Sequence, residues 1–359
     1  METTSIFSPS SVDCLVEKVS NIFNESDPSS FFLGKQWITS WLSVLDELPD
    51  IYIFKNDDEI IGFALLSRKK ALTFPPLYEG FLNQKGQSHF DQVWIEYNGI
   101  ICRKEKTYEC ISALLTAFFK NKRNQRLTVS MTTDFECWQN AISEAGYTSE
   151  NTEVLGYKSD LTLWQNELEK FEFISKNTHS QLKRSINTIE KNLGKISFAF
   201  ASKDNILNYF FELGALHKKR WNDSEEGSGF DNQFFVQHHV NFLTRNSQNI
   251  DLVKVSAGKE TLGYVYNIKF EKTVYFYCSG LNYDITHKHI KPGYTIHHEL
   301  MKHYRKLGYL WYDFLGGYAR YKDSLSSAKY QFKTLTIYRS SRQLKLTRIA
   351  KKLISFLTL

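Results

Sequence analysis

The chain has 359 residues, of which 42% are hydrophobic, and 45 Lys+Arg stand against 39 Asp+Glu for a formal charge of +6. Single cores rarely grow past ~250 residues and the apolar share excludes a mostly disordered chain, so one large or two ordinary domains are expected. Five scattered cysteines exclude a disulfide framework and a Cys-x-x-Cys zinc site, while the mild positive charge suits an anionic cofactor, a tRNA or a membrane surface alike.

In chain order, helical spacing is expected at 12–23 and 35–45, the second carrying Trp37 and Trp41 on one face. Strands are expected at 51–54 and 60–66 around the turn Asn56-Asp57-Asp58, then at 93–101 through Trp94, Ile95, Glu96, Tyr97 and Asn98. A helix at 108–119, a strand at 127–131 and a helix at 137–145 follow. A basic helix at 180–192, with Lys183, Arg184 and Lys191, opens the second half. It leads to a strand at 196–200, a helix at 207–221, a loop at 222–229 and a helix at 234–243. Strands at 252–255 and 262–270 form a hairpin around Gly258-Lys259. A strand at 274–278, a helix at 294–306 and strands at 310–314 and 333–338 complete the order.

The halves echo one another. Glu59-Ile60-Ile61-Gly62-Phe63 and Glu260-Thr261-Leu262-Gly263-Tyr264 both open the second strand of a hairpin that is later followed by helix and strand, which argues for a duplicated α/β unit. At the end, Leu346, Ile349, Leu353, Phe356 and Leu357 share one helical face and Arg342, Lys345, Arg348, Lys351 and Lys352 supply charge. Packing back on the protein is the expected fate of this helix, and peripheral contact at the inner face of the membrane is the alternative. No signal peptide and no apolar run of ~18 residues is present, so a cytoplasmic location is expected.

Several chemistries find no motif. The chain has neither a G-x-x-x-x-G-K-[ST] loop, nor G-x-G-x-x-G, nor G-x-S-x-G. His298 and His303 lie five apart instead of four, which turns the second off the shared helical face and argues against a zinc helix, so no metal is expected. The informative stretch runs from Tyr275 to Lys322. Lys291-Pro292-Gly293-Tyr294 opens a helix, whose free N–H groups and dipole suit an anion. Asp313 ends a strand, the place where ligands of α/β folds sit. Lys322 could steady the oxyanion that forms when an amine attacks an acyl group.

Asp313, Phe314, Leu315, Gly317, Tyr321 and Lys322 together resemble the signature of the GNAT-type acyltransferase family associated with bacterial cellulose and exopolysaccharide synthesis, a relative of the Fem-type aminoacyl-tRNA-dependent peptidyltransferases. Phe32-Leu33 with Trp37, Lys183-Arg184, Leu216-His217 with Arg220-Trp221, and Pro292-Gly293 match in the same order. The resemblance implies an α/β (α+β) architecture of two tandem GNAT-like (acyl-CoA N-acyltransferase) domains, each a mixed, mostly antiparallel sheet flanked by helices. The boundaries expected are 1–165, 166–340 and the helix 341–359, with the chemistry in the second domain.

It implies further that Lys291, Pro292, Gly293 and Tyr294 hold the pyrophosphate of acyl-CoA, acetyl-CoA first. The sequence here departs from the Arg/Gln-x-x-Gly-x-Gly/Ala pattern of acetyl-CoA binders. Lys322, with Tyr321, matches the aromatic-Lys pair near the reacting carbonyl, and Asp313 is its expected partner. Glu96, Arg220, Trp221, Tyr277 and Gly317 are the candidates for binding an amine on a sugar, polysaccharide precursor or peptide. The alternatives are aminoacyl-tRNA-dependent transfer and a non-catalytic, membrane-peripheral binding protein.

Overall fold

The structure, a computed structural model, describes residues 2–25, 30–57, 59–72, 76–166, 169–221, 227–285, 288–345 and 348–349. The elements in chain order are β1 (Glu2–Phe7), α1 (Val12–Glu25), α2 (Lys35–Leu42), β2 (Asp50–Asn56), β3 (Glu59–Leu72), β4 (Leu77–Leu82), α3 (Ser88–Asp91), β5 (Ile101–Cys102), α4 (Thr107–Lys120), β6 (Asn124–Thr132), α5 (Phe135–Glu144) and β7 (Thr148–Asp160). They continue with β8 (Trp164–Gln165), β9 (Lys170–Phe171), α6 (Lys176–Asn192), β10 (Ile196–Phe200), α7 (Ile206–Trp221), α8 (Gln233–Asn246), β11 (Ile250–Ala257), β12 (Glu260–Phe270), β13 (Thr273–Leu281), α9 (Pro292–Lys306), β14 (Trp311–Gly316), α10 (Arg320–Leu325) and β15 (Ala328–Tyr338). Two compact units result, one taking residues 1–154 with 332 onward and the other residues 155–331.

In the first unit β1, β2, β3 and β4 pair antiparallel in turn, β4 runs parallel to β6, and β6 pairs antiparallel with the part of β15 from Lys333 on. In the second, β10 to β13 pair antiparallel in turn, β13 runs parallel to β14, and β14 pairs antiparallel with the later part of β7. The two patterns are the same. The five-residue echo has a structural cause as well. Phe54 pairs with Gly62 and Lys55 with Ile60, while Val255 pairs with Gly263 and Ser256 with Thr261, so both hairpins carry a bulge at the echoed glycine.

Each core follows from helical spacing over apolar strands. On α4, Cys110, Ile111, Leu114, Leu115 and Phe118 recur at intervals of three and four and are all buried against Phe54, Leu66 and Leu127. In the second unit α6 and α9 cover one sheet face through Leu182, Ile189, Ile296, Leu300 and Tyr304, packed with Val265, Phe276 and Phe314. The other face carries α7 and α8, where Phe210 and Phe235 meet His239 and Tyr266. Each fully buried large apolar side chain contributes about 1.5–3 kcal/mol.

The strand expected at 93–101 does not form. Trp94 and Tyr97 take φ values of 46° and 52°, the left-handed region, which breaks any ladder through them. Only Ile101–Cys102 pairs, with β3. Buried Asn98 supplies the missing bonds, its N–H to Met131 O at 3.0 Å and its amide to Leu82 O at 3.0 Å. Of the C-terminal helix expected over 341–359, residues 341–345 are helical, while 346–347 and 350–359 lie outside the described residues. No helix among the described residues is long and apolar enough to cross a membrane.

Candidate active site

Helix α9 begins one residue after an unusual cap. Lys291 stands at the N-cap with no side-chain capping bond, and Pro292 follows at the first helical position, where its missing N–H costs nothing. Lys291 N donates instead to Ser185 Oγ at 2.9 Å, and Ser185 Oγ meets Thr295 Oγ1 at 2.8 Å. Ser185 is fully buried, so α6 pins the start of α9. The first turn keeps unpaired N–H ends by construction, which is the electrostatic basis of an anion site.

Tyr321, on α10, closes over this turn. A Cβ built on Gly293 would lie 4.0 Å from Tyr321 Cδ1 and 3.5 Å from Leu281, ordinary contacts, so steric need does not explain the glycine. Burial pushes the Tyr321 hydroxyl far above its usual titration range, keeping it protonated. Next to it, the Lys322 ammonium donates to Gly316 O at 2.7 Å. Lys291–Tyr294 and Tyr321-Lys322, set apart by 27 residues or more of sequence, are therefore brought into one neighbourhood.

Asp313 sits elsewhere in this architecture. Only 2% exposed, it accepts at Oδ1 from Leu315 N (2.7 Å) and from the Tyr330 hydroxyl (2.7 Å). The first bond closes a tight turn in which Leu315 has φ 61° and Gly317 φ 88°, and the exposed Gly317 donates to Leu155 O at 3.0 Å. Tyr330 reaches Asp313 by lying across Gly156, where a Cβ would come within 2.3 Å of its ring. These contacts hold the end of β14 in shape. Asp313→Asn keeps an oxygen for both donors and is expected to change kcat less than about threefold, while Asp313→Ala strips both and is expected to cost about 2 kcal/mol in urea unfolding. A collapse of turnover in Asp313→Asn, with the fold intact, would restore the carboxylate to the chemistry.

The expected substrate residues divide. Tyr277 bonds His239 Nε2 at 3.0 Å and packs with Tyr266 on the α7/α8 side of the sheet, away from Phe276, which meets His297 at 4.3 Å on the α9 side. Arg220 lies over the exposed Tyr283 ring at 5.4 Å, and Trp221 stacks on His217 at 5.9 Å, both at the end of α7. Burial lowers His217 to about 4, so this imidazole is neutral where it bonds Ser228 Oγ at 2.8 Å. Glu96 belongs to the first unit, half-buried between the two left-handed residues. Neither His298, bonded to Glu299 at 3.0 Å, nor His303, stacked on Phe200, joins a metal-ligating group, and none occurs among the described residues.

Sequence reasoning passed over His297, fully buried and stacked face to face on Tyr321 at 5.0 Å and 4°. Its signal was present, since His297 follows Gly293 by four residues and so shares its helical face. The basic helix expected at 180–192 is α6, and Lys183, Arg184, Asn187 and Lys191 are among the residues lining an open depression of about 730 Å3 along it.

Comparison with known proteins bears on the fold and on the family of the second unit. Residues 176–323 match the family described as an acetyltransferase (GNAT) domain, a span that takes in α6, α9 and Tyr321-Lys322 but less than half of the chain. Among solved structures, FemX is 10% identical over 92% of this chain and 96% of that chain, with a TM-score of 0.58. The C-terminal domain of a putative lysylphosphatidylglycerol synthetase from Agrobacterium fabrum is 10% identical over 96% and 98%, with a TM-score of 0.56. L-PGS from Bacillus licheniformis is 11% identical over 94% and 96%, with a TM-score of 0.51. Comparison with curated protein sequences gives no significant match. At these identities the shared property is the fold, a mixed α/β arrangement of mostly antiparallel sheet flanked by helices, with GNAT-like relatives.

Proposed function

We infer that the protein is an N-acyltransferase of two tandem GNAT-like domains, moving an acyl group, acetyl first, from acyl-CoA to an amine on a sugar, polysaccharide precursor or peptide. The observation that carries this reading is the packing of Tyr321, the neighbour of Lys322, against the α9 N-terminus, inside the span that matches the GNAT family. Phosphates of the donor would sit on the first turn of α9, at Lys291, Pro292, Gly293 and Tyr294. The amine nitrogen attacks the thioester carbon, an N–C bond forms, and the carbonyl oxygen takes negative charge that the Lys322 ammonium steadies. The C–S bond then breaks, and the thiolate takes up the proton that the amine loses. Arg220 and Trp221 at the end of α7, with Gly317 in the exposed turn after β14, are the acceptor-side groups under this reading.

The test is calorimetric titration with acetyl-CoA and with a longer acyl-CoA. Micromolar binding is expected, weakened at least about tenfold by Gly293→Glu, because a carboxylate there faces the donor phosphates at the helix end. Full-strength binding by Gly293→Glu would remove the donor from this turn.

The basic concave face of α6 favours a second reading, an aminoacyl-tRNA donor in a Fem-like transfer. One fold relative is named for lysylphosphatidylglycerol, whose name joins an amino acid to a phospholipid. If neither CoA thioester binds and the protein instead retains tRNA that salt removes, the second reading replaces the first.

A further inference from the structure

A chain of buried hydrogen bonds runs through the second unit to His297. It starts at Asp251 on β11, whose Oδ1 lies 2.8 Å from the Lys269 ammonium and whose Oδ2 accepts from the Tyr304 hydroxyl at 3.0 Å. Asn267 Nδ2 donates to the Tyr304 oxygen at 3.1 Å, and the Tyr312 hydroxyl donates to Asn267 Oδ1 at 3.3 Å. The Tyr312 oxygen then meets His297 Nδ1 at 3.1 Å. Asn267, Tyr304, Tyr312 and His297 are each 0% exposed.

The polarity of this chain follows from its first member. A carboxylate only accepts, so the Tyr304 hydrogen goes to Asp251 and the Tyr304 oxygen must be an acceptor. Asn267 therefore turns its amide nitrogen to Tyr304 and its carbonyl to Tyr312. The single Tyr312 hydrogen goes to that carbonyl. Burial holds both tyrosine hydroxyls well above their ordinary titration range, so neither loses its hydrogen. The last bond can then form only if His297 carries its hydrogen on Nδ1. Burial first, and the Lys322 charge second, lower His297 to about 3, so the ring stays neutral and Nε2 is a bare lone pair.

Among the described residues that lone pair has no donor, although it is fully buried. A buried acceptor left unmet costs about 1–3 kcal/mol. The ring carrying it stacks on Tyr321, the neighbour of Lys322, whose ammonium charge reaches it. We propose that His297 is a positioning residue of the site, locked in the Nδ1–H tautomer by the chain from Asp251, and that its Nε2 accepts a hydrogen bond from the Lys322 ammonium as this turns between Gly316 O and the imidazole. Steered in this way, the Lys322 ammonium is oriented for the acyl oxygen. The role in acyl transfer rests on the reading above, whereas the hydrogen bonding does not.

Nitrogen-15 NMR of the full chain labelled at histidine tests the bonding without any substrate. His297→Gln assigns the ring by loss of its signals, and if that variant fails to fold, Tyr312→Phe assigns it by moving Nδ1. The expected spectrum has the hydrogen on Nδ1, and Lys322→Met shifts Nε2 towards the value of a free lone pair while Nδ1 stays in place. Asp251→Asn, which can donate as well as accept, is expected to admit the opposite tautomer. A hydrogen on Nε2 in the unmodified protein, or an Nε2 signal that Lys322→Met does not move, overturns the proposal. Correct His297 signals in a protein that transfers no acyl group would overturn the functional reading and leave the bonding standing.

Discussion

Lys322→Ala is expected to lower kcat about 10²–10³-fold while KM stays within about threefold, the signature of an interaction made in the transition state alone. The ammonium is placed for this by three features. The short helix α10 carries it next to Tyr321, its bond to Gly316 O at 2.7 Å limits its swing, and Tyr321 covers the first turn of α9 where the donor phosphates are proposed to sit. A half-buried positive charge such as this one acts on a developing oxyanion more strongly than it would in bulk solvent. The stability cost should be small, about 1 kcal/mol for one lost hydrogen bond, so a rate loss can be separated from unfolding. Steady-state kinetics on the true substrate measures it, with a melting curve beside it. Unchanged turnover in a folded Lys322→Ala protein would end the proposal that this lysine performs the chemistry.

The second large effect concerns stability. Gly280→Ala is expected to destabilise the second unit by about 3 kcal/mol or more, a fall in Tm of roughly 6–12 °C. Gly280 lies on β13 directly under α7, and a Cβ there would stand 2.2 Å from the carbonyl oxygen of Leu213 and 2.9 Å from Leu216 Cβ. Backbone cannot step aside as a flexible side-chain end can, so the whole helix must lift. Phe210 and Leu213 would then lose contact with the sheet, and His217, Arg220 and Trp221 at the end of α7 would move with them. Thermal or urea unfolding shows the effect, and an unchanged midpoint would mean that α7 is seated less tightly than these distances require.

Much of the local structure is legible in the residues. The apolar spacing of 108–119 becomes α4 because only one face of a 3.6-residue period can be covered by a sheet. The glycines of the two echoed pentapeptides mark the same bulged hairpin, since a side chain at Gly62 would come within 2.4 Å of Cys102 and Gly263 has φ 156°. Pro292 announces the start of α9, lacking the N–H that a first turn does not use. By contrast, 93–101 reads as a strand from its composition, yet two left-handed residues and the side chain of Asn98 divert it. Residues 148–153, Thr-Ser-Glu-Asn-Thr-Glu, carry no apolar alternation, but they open β7, because ladder hydrogen bonds need backbone and not hydrophobicity.

The candidate site divides along the same line. By itself the sequence determined the α/β class and the helix start at Lys291–Tyr294, which depend on residue types at short separation, and offered the Tyr321-Lys322 pair through a family resemblance. Tertiary structure alone decided that Tyr321 packs on that helix start, that Asp313 is occupied by Leu315 N and Tyr330, that Tyr277 faces the other side of the sheet, and that residues from Phe332 on complete the first unit. It also decided the polarity that reaches His297 from Asp251, across five side chains drawn from β11, β12, α9 and β14. Spacing along a chain encodes which residues share a face, whereas pairing between distant strands, and the direction in which a hydrogen points within a buried network, exist only once the backbone has closed around them.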